Sequence, residues 1–165
     1  MLFRSILVTG GAGYIGSHMV HELVDLGRPV VVLDNLSTGV RGSVPEGATL
    51  VVGDIGDEEL VRILIRKHGI TGIIHFAGSI VVPESVSDPL GYYLNNTVKS
   101  RSLMAAAVAG GVRHFIFSST AAVYGMAKEM PVKETTPLEP MSPYGSSKLM
   151  TEIMLRDAEI GRAHV

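Results

Sequence analysis

The chain of 165 residues contains no cysteine, which excludes a disulfide framework and a thiolate metal site. Tryptophan is absent as well, and aromatics amount to only 5%. A formal charge of −2 offers no basic field for a nucleic acid or an anionic membrane. No apolar run approaches the roughly 18 residues of a membrane span, and the first five residues are too short and too polar for a secretory signal. These absences point to a soluble cytoplasmic protein with no nucleic-acid or membrane partner. Six histidines could still hold a metal. However, His18 and His21 stand three apart on an expected helix without the glutamate and spacing of a zinc protease, so no metal centre is read.

Hydrophobic residues (46%) and glycine (19 residues) are abundant instead. That is the composition of an α/β sheet whose strands run through the middle of the molecule and meet helices by tight turns. The length is one domain's worth, enough to bury a core. Along the chain, strand-like and helix-like segments alternate. Ser5–Thr9 is a β-branched run ended by glycines, after which Ile15, Met19, Leu23 and Leu26 repeat at helical spacing until Gly27. Pro29–Asp34 reads as a second strand, followed by a Gly-, Ser- and Pro-rich loop from Asn35 to Gly47, and Thr49–Val52 as a third. Asp57 caps a helix with Glu58 and Glu59 in its first turn, and Gly69 stops it. Ile73–Phe76 is a fourth strand, Asp88-Pro89 opens a longer helix toward Gly110-Gly111, and His114–Ser118 is a fifth strand. Short apolar strands separated by helices imply parallel pairing with right-handed crossovers, hence a doubly wound sheet.

Two motifs carry chemistry. Thr9-Gly10-Gly11-Ala12-Gly13-Tyr14-Ile15-Gly16 lies between the first strand and the first helix. Gly10 permits a tight turn, Gly13 lets backbone approach a pyrophosphate, and Gly16 lets helix and strand pack closely, while the helix N-terminus offers free N–H groups to phosphate. Asp34 follows Gly16 by 18 residues, at the end of the next strand. A carboxylate there accepts from an adenosine ribose 2′-hydroxyl and repels a 2′-phosphate, which favours NAD over NADP. The second motif, Tyr144-Gly145-Ser146-Ser147-Lys148, puts a phenol and an ammonium one helical turn apart. A tyrosine and lysine four apart usually mark an ordinary solvated helix face, and Ser142-Pro143 before them is an ordinary helix start. Together with a cofactor turn, the pair acquires a chemical meaning. An alcohol gives up hydride only if its hydroxyl proton leaves too, and a tyrosine of pKa about 10 becomes a useful base when a nearby ammonium favours its phenolate. Thr120, at the end of the fifth strand, can share the same substrate oxygen; its plain alternative is a hydroxyl that satisfies turn backbone.

The Gly10-x-x-Gly13-x-x-Gly16 spacing, taken with Tyr144-x-x-x-Lys148, resembles the extended short-chain dehydrogenase/reductase family. The strings Leu33-Asp34-Asn35-Leu36, His75-Phe76-Ala77-Gly78 and Phe117-Ser118-Ser119-Thr120-Ala121-Ala122-Val123-Tyr124-Gly125 narrow the resemblance to its UDP-hexose 4-epimerase branch. The resemblance implies a Rossmann-like NAD-binding domain with Tyr14 and Ile15 at the phosphate turn, Asp34 and Asn35 at the adenosine ribose, and Asp54 and Ile55 near the adenine. It further implies Phe76, Ala77 and Gly78 along the cofactor, Asn95 beneath it, and Thr120, Tyr144 and Lys148 at the reacting carbon. One position departs from the pattern: many relatives have a lysine two residues after Phe-Ala-Gly, where this chain has Ile80.

The activity so implied is oxidation of the C4 alcohol of a UDP-hexose (glucose or galactose), rotation of the ketosugar, and return of the hydride to the opposite face. Nucleotide-sugar 4,6-dehydratases place an Asp-Glu pair directly after the threonine; here those positions are Ala121 and Ala122. A non-catalytic NAD-binding module is the alternative of a different class, and it would not need Tyr144 and Lys148 in register. Members of the family continue past the Tyr-x-x-x-Lys helix into more strands and a sugar-nucleotide lobe, whereas this chain stops 17 residues after Lys148. The expectation is therefore a sheet incomplete at its C-terminal end, no substrate lobe within residues 1–165, and no useful epimerase activity from the chain alone. The sequence leaves the oligomeric state open; dimers in this family often pair through helices of the cofactor domain, for which the helices that begin at Asp88 and Pro143 are the candidates in a homodimeric parent enzyme. Leu2–Ser5 and Ile160–Val165 can be encoded by overlapping complementary strings resembling a sequencing adapter, which would confine meaningful sequence to about Ile6–Glu159.

Overall fold

The computed structural model describes residues 5–158 and 160. Of the two terminal strings singled out above, only Ser5 and Ile160 fall within the described residues, and Glu159 lies outside them. Five parallel strands, β1 (Ser5–Thr9), β2 (Val30–Asp34), β3 (Ala48–Val52), β4 (Ile70–His75) and β5 (His114–Phe117), form one sheet in the order β3-β2-β1-β4-β5. The helices are α1 (Tyr14–Asp25), α2 (Glu58–His68), α3 (Val82–Ser87), α4 (Pro89–Tyr92), α5 (Lys99–Ala109) and α6 (Pro143–Asp157). A π-helical segment, Tyr93–Val98, joins α4 to α5, and short 3-10 turns occupy Arg41–Ser43 and Ala121–Tyr124.

Helices cover both faces of the sheet. On one face Val20 of α1, with Met19, Leu23 and Val24 beside it, packs on Val8, Val30, Val32 and Ile74. On the other, Val61, Leu64 and Ile65 of α2 and Leu103, Ala106 and Ala107 of α5 close over Leu7, Val31, Leu33 and Ile73. The run Val30–Leu33 is buried on both sides, which is why it reads as continuous apolar sequence rather than alternation. Each such side chain contributes about 1.5–3 kcal/mol by leaving water. The strand order therefore makes this the doubly wound, Rossmann-like α/β fold that the alternation implied.

Several local details differ from the sequence reading. The buried face of α1 is Gly16, Ser17 and Val20, while Ile15 and Leu26 are 62% and 64% exposed. Met19 and Leu23 pack on the sheet as the helical spacing implied, but Ile15 does not, because Gly16 takes the position against the strand end. β4 starts at Ile70, directly after Gly69, whose left-handed φ of 59° ends α2 as expected. Asp57 caps that helix through the Leu60 N–H at 3.0 Å, also as expected. Neither α3 nor the π segment was visible in the pattern. Among the described residues β5 pairs only with β4, and Ile116 on its α1-side face is 60% exposed.

Candidate active site

β1 and β4 lie side by side although two other strands separate them in sequence, and the chain leaves their C-terminal ends in opposite directions. In an open parallel sheet this switch point is where a crevice forms. Gly10 turns the chain there with φ 69°, and a Cβ on it would lie 2.6 Å from Ala77 N, so the turn and the segment after β4 touch. A Cβ on Gly16 would fall 2.2 Å from Gly10 O. The glycines thus allow the N-terminus of α1 to stand directly against the strand end. Gly13 occupies the N-cap with no side-chain cap, and no acidic residue lies in the first turn. The uncapped N–H groups and the positive end of the helix dipole leave this terminus suited to an anion. Tyr14, 83% exposed, and Ile15 flank it on the solvent side.

Asp34, at the end of β2, is only 8% exposed. Its Oδ2 accepts from Ala12 N at 2.9 Å and its Oδ1 from Leu36 N at 2.8 Å. The same carboxylate therefore braces the glycine turn and holds Leu36 at a left-handed φ of 58°, a conformation that costs a residue with a Cβ about 1–2 kcal/mol. The loop after β2 closes back on the turn through Val40 N to Ala12 O at 2.9 Å. Asn35 holds Ser37 N at 3.0 Å. Asp54, at the end of β3, pairs with Lys99 Nζ at 2.6 Å and accepts from Gly56 N at 2.7 Å. Burial pushes its carboxyl up, but Lys99 and the Gly56 N–H outweigh that and leave it below its ordinary value. The Ile55 side chain is 6% exposed and belongs to the core, so only its main chain is left to meet a ligand.

After β4, Phe76 and Ala77 pack partly on opposite faces of the sheet, and Gly78 follows at φ 157°. Ser79 is then gripped by two neighbouring asparagines. Asn95 Nδ2 donates to Ser79 Oγ at 2.9 Å; Asn96 Oδ1 accepts from Ser79 N at 2.7 Å, and its Nδ2 donates to Ser79 O at 3.0 Å. Asn95 stays half-exposed, whereas Asn96 is buried. Ile80, where many relatives have lysine, is 67% exposed.

Tyr144 and Lys148 lie one turn apart on α6, whose start is fixed by Ser142 capping Gly145 N at 3.1 Å. Tyr144 is half-buried and Lys148 is 4% exposed. The Lys148 ammonium donates to Ser118 O at 3.0 Å and sits 4.8 Å from the centre of the Phe117 ring. Burial pushes it down to about 8, so it remains charged at neutral pH. One turn further, Glu152 accepts from Ser119 Oγ. A Cβ on Gly145 would lie 2.8 Å from Ala122 O. The end of β5 and the catalytic-type helix are therefore fastened together at three successive points. Thr120 Oγ1 accepts from Ala122 N at 3.2 Å, the plain turn-capping role, which leaves its own proton free to donate.

A family model, the NAD dependent epimerase/dehydratase family, matches residues 6–160. The chain belongs to that family. A UDP-glucose 4-epimerase of Azospirillum brasilense is 55% identical over 159 residues, covering 96% of this chain and 45% of the relative. Among solved structures, a UDP-glucose 4-epimerase from Brucella ovis in complex with NAD superposes with a TM-score of 0.92 at 41% identity, covering 95% of this chain and 48% of that one. The UDP-Glc/GlcNAc 4-epimerase of Campylobacter jejuni gives 0.91 at 43%, covering 96% and 50%. The chain spans about half the length of the curated relatives it matches.

For this member of the epimerase/dehydratase family, the structure gathers Gly10, Gly13, Gly16, Asp34, Phe76, Ala77 and Gly78 around the switch point, with Asn95 reaching it through Ser79. Tyr144 and Lys148 lie on α6, which Lys148 fastens to the end of β5, and Thr120 caps the turn that follows that strand. The sequence reading missed Asn96, Ser79, Ser147 and Glu152. A doubled asparagine in an otherwise amphipathic helix was the one signal that could have exposed the first.

Proposed function

We propose that this chain holds the NAD cradle and the proton-transfer pair of a UDP-hexose 4-epimerase that interconverts UDP-glucose and UDP-galactose. The observation that carries the reading is the half-buried Tyr144 on the same helix face as a sealed, still charged Lys148, beside the end of β5 and Gly78. NAD, when bound, supplies the hydride acceptor and donor. The N-terminus of α1 would take its pyrophosphate, and Asp34 its adenosine ribose. Tyr144 would take the C4 hydroxyl proton and later return it, Lys148 would favour the phenolate, and the free proton of Thr120 would orient the sugar oxygen. Ala121 is exposed and Ala122 is half-buried, so neither places an acid or base where a dehydratase needs one. This supports epimerisation over dehydration.

NAD is expected to bind in preference to NADP. Because Asp34 also braces Ala12 and Leu36, Asp34→Ala should weaken both cofactors. NAD should lose roughly tenfold or more and NADP less, so the ratio narrows. Calorimetric titration of parent and variant with each cofactor checks this; equal affinities for both in the unmutated chain would overturn the role of Asp34.

The parent enzyme is read as a homodimer. From the end of the π segment along α5, Val98, Arg101, Ala105 and Val108 recur at a 3-4-3 spacing, and Val98 and Val108 are 52% and 55% exposed. Beside them α6 presents Met150 and Ile153, 44% and 40% exposed. This seam has the form that helices of two copies bury between them. Val108→Lys should halve the mass measured by sedimentation; an unchanged mass would place the interface elsewhere.

A further inference from the structure

Seven polar side chains are sealed in the interior at 2% exposure or less, and all of them but Ser85, which bonds to Val82 O within α3, form one connected set: Thr9, His75, Asn96, Ser100, Ser147 and Thr151. Such groups are costly to bury unless each is paired. Among the described residues, no buried side-chain nitrogen or oxygen lacks a partner.

The direction of each bond can be worked out from one end. Ser100 Oγ lies 2.5 Å from Asn96 O, and a carbonyl can only accept, so the serine proton points there. Toward His75 Nε2, 2.8 Å away, Ser100 must therefore accept, which places the ring proton on Nε2. The neutral ring then has a bare Nδ1, and Thr9 Oγ1 donates to it at 2.6 Å. The ring stacks on Phe117 at 5.5 Å and meets the edge of Phe115. Burial, together with the Lys148 charge on α6, pushes it down to about 3. Lys148 is the charged group facing the ring; β1, β5 and α5 offer it Thr9, the two phenylalanines and Ser100, none of which titrates.

The two ends of this chain of bonds belong to different parts of the site. Thr9 is the last residue before Gly10. Asn96 O also accepts from Thr151 Oγ1 at 3.1 Å, and Asn96 Nδ2 donates to Ser147 Oγ at 3.1 Å. Ser147 and Thr151 bracket Lys148 on α6.

We propose that His75 is a positioning residue: locked as its Nε2–H tautomer, it ties the glycine turn to the π segment and thereby fixes where α6 holds Tyr144 and Lys148 against the cofactor. The role goes beyond the proposed reaction and rests on that reading only for the cofactor's place.

The test uses the ¹⁵N-labelled 165-residue chain with Thr9→Val, Thr9→Ser and Ser100→Ala variants. The readouts are the His75 ring nitrogen pattern, the Lys148 ammonium titration and NAD affinity. The parent ring should show the Nε2–H pattern unmoved from about pH 5 to about pH 9. Thr9→Val and Ser100→Ala should mix the tautomers, displace the Lys148 titration and weaken NAD by roughly fivefold or more, the equivalent of one lost hydrogen bond. Thr9→Ser keeps the hydroxyl and should stay within about twofold of the parent. An Nδ1–H ring in the parent, or a ring that titrates near 6.5, overturns the proposal. So do folded Thr9→Val and Ser100→Ala variants with unchanged Lys148 titration and NAD affinity. If the parent binds no NAD, the cofactor reading fails by itself, and the tautomer and the Lys148 titration still decide the role of His75.

Discussion

Tyr144→Phe in the whole enzyme, assayed with UDP-galactose and NAD, is expected to lower turnover by roughly 10²–10⁴-fold with NAD affinity nearly unchanged. The substitution deletes one oxygen and keeps the ring, so α6, its Ser142 cap and the Lys148 contact to Ser118 O stay in place. What is lost is the group proposed to take the C4 hydroxyl proton. The loss should appear in kcat rather than in KM, because the phenol matters most when charge moves in the transition state. The pH profile of the parent should also report the Lys148 ammonium, charged below about 8 in the chain as it stands. Turnover in Tyr144→Phe close to that of the parent would assign the proton transfer to another base and remove the chemical meaning of the Tyr-x-x-x-Lys pair.

Acidification gives the second large effect, on stability. His75 is held near 3 in the folded chain and rises to about 6.5 on unfolding. Between those values the unfolded chain binds one more proton than the folded one, so stability increases with pH across the window. The contribution is complete above about pH 6.5 and is lost as pH falls toward 3, at about 1.4 kcal/mol per unit. From pH 7 to pH 5 the chain should lose ~2 kcal/mol through this residue. Burial and the Lys67 charge move His68 the same way, so the comparison is made in a His68→Gln background. Urea unfolding at pH 5, 6 and 7 measures the slope. A flat profile in that background would mean that His75 is protonated inside the fold, against the bond directions derived for it. Lys148 acts in a different window. Its depressed value makes the folded chain more stable as pH rises from about 8 toward 10.5, so a charged lysine there is a local cost at neutral pH.

The sequence exposed the parts of this molecule whose pattern is repetitive or whose chemistry is singular. The alternation of Val30–Leu33 with glycine turns and capped helices was enough for a doubly wound sheet, and the glycine triplet with Asp34 was enough for the crevice. Asp34 was legible as a strand-end carboxylate following the glycine turn. Its bracing of Ala12 and Leu36 was not, because those partners depend on how the loop from Asn35 to Gly47 folds back. The buried polar chain was illegible for a more general reason. Threonine, serine and asparagine look the same in sequence whether they face water or one another, and only the packing of β1, β4, the π segment and α6 separates the two cases. Thr120 illustrates the limit from the other side: the plain capping role is the one observed, and because the bond from Ala122 N uses a lone pair it leaves the proton free for the role proposed.

The π segment has a consequence for how this helix tolerates change. Regular winding turns about 100° per residue; the wider π turn turns less, so the segment between Tyr93 and Val98 stores one extra residue in a continuous rod without rotating the helix that follows. It lets consecutive asparagines serve two neighbours at once and leaves the Asn96 carbonyl available to Ser100 and Thr151. Removing one residue there would give a more regular helix and keep Leu103, Ala106 and Ala107 facing the sheet, at the cost of the wide turn that leaves the Asn96 carbonyl available. Shortening by a single position should therefore be borne better here than in α1 or α2, which hold no spare residue, and a single-residue deletion scan of residues 93–98 set against one of α1 and α2 would show that asymmetry.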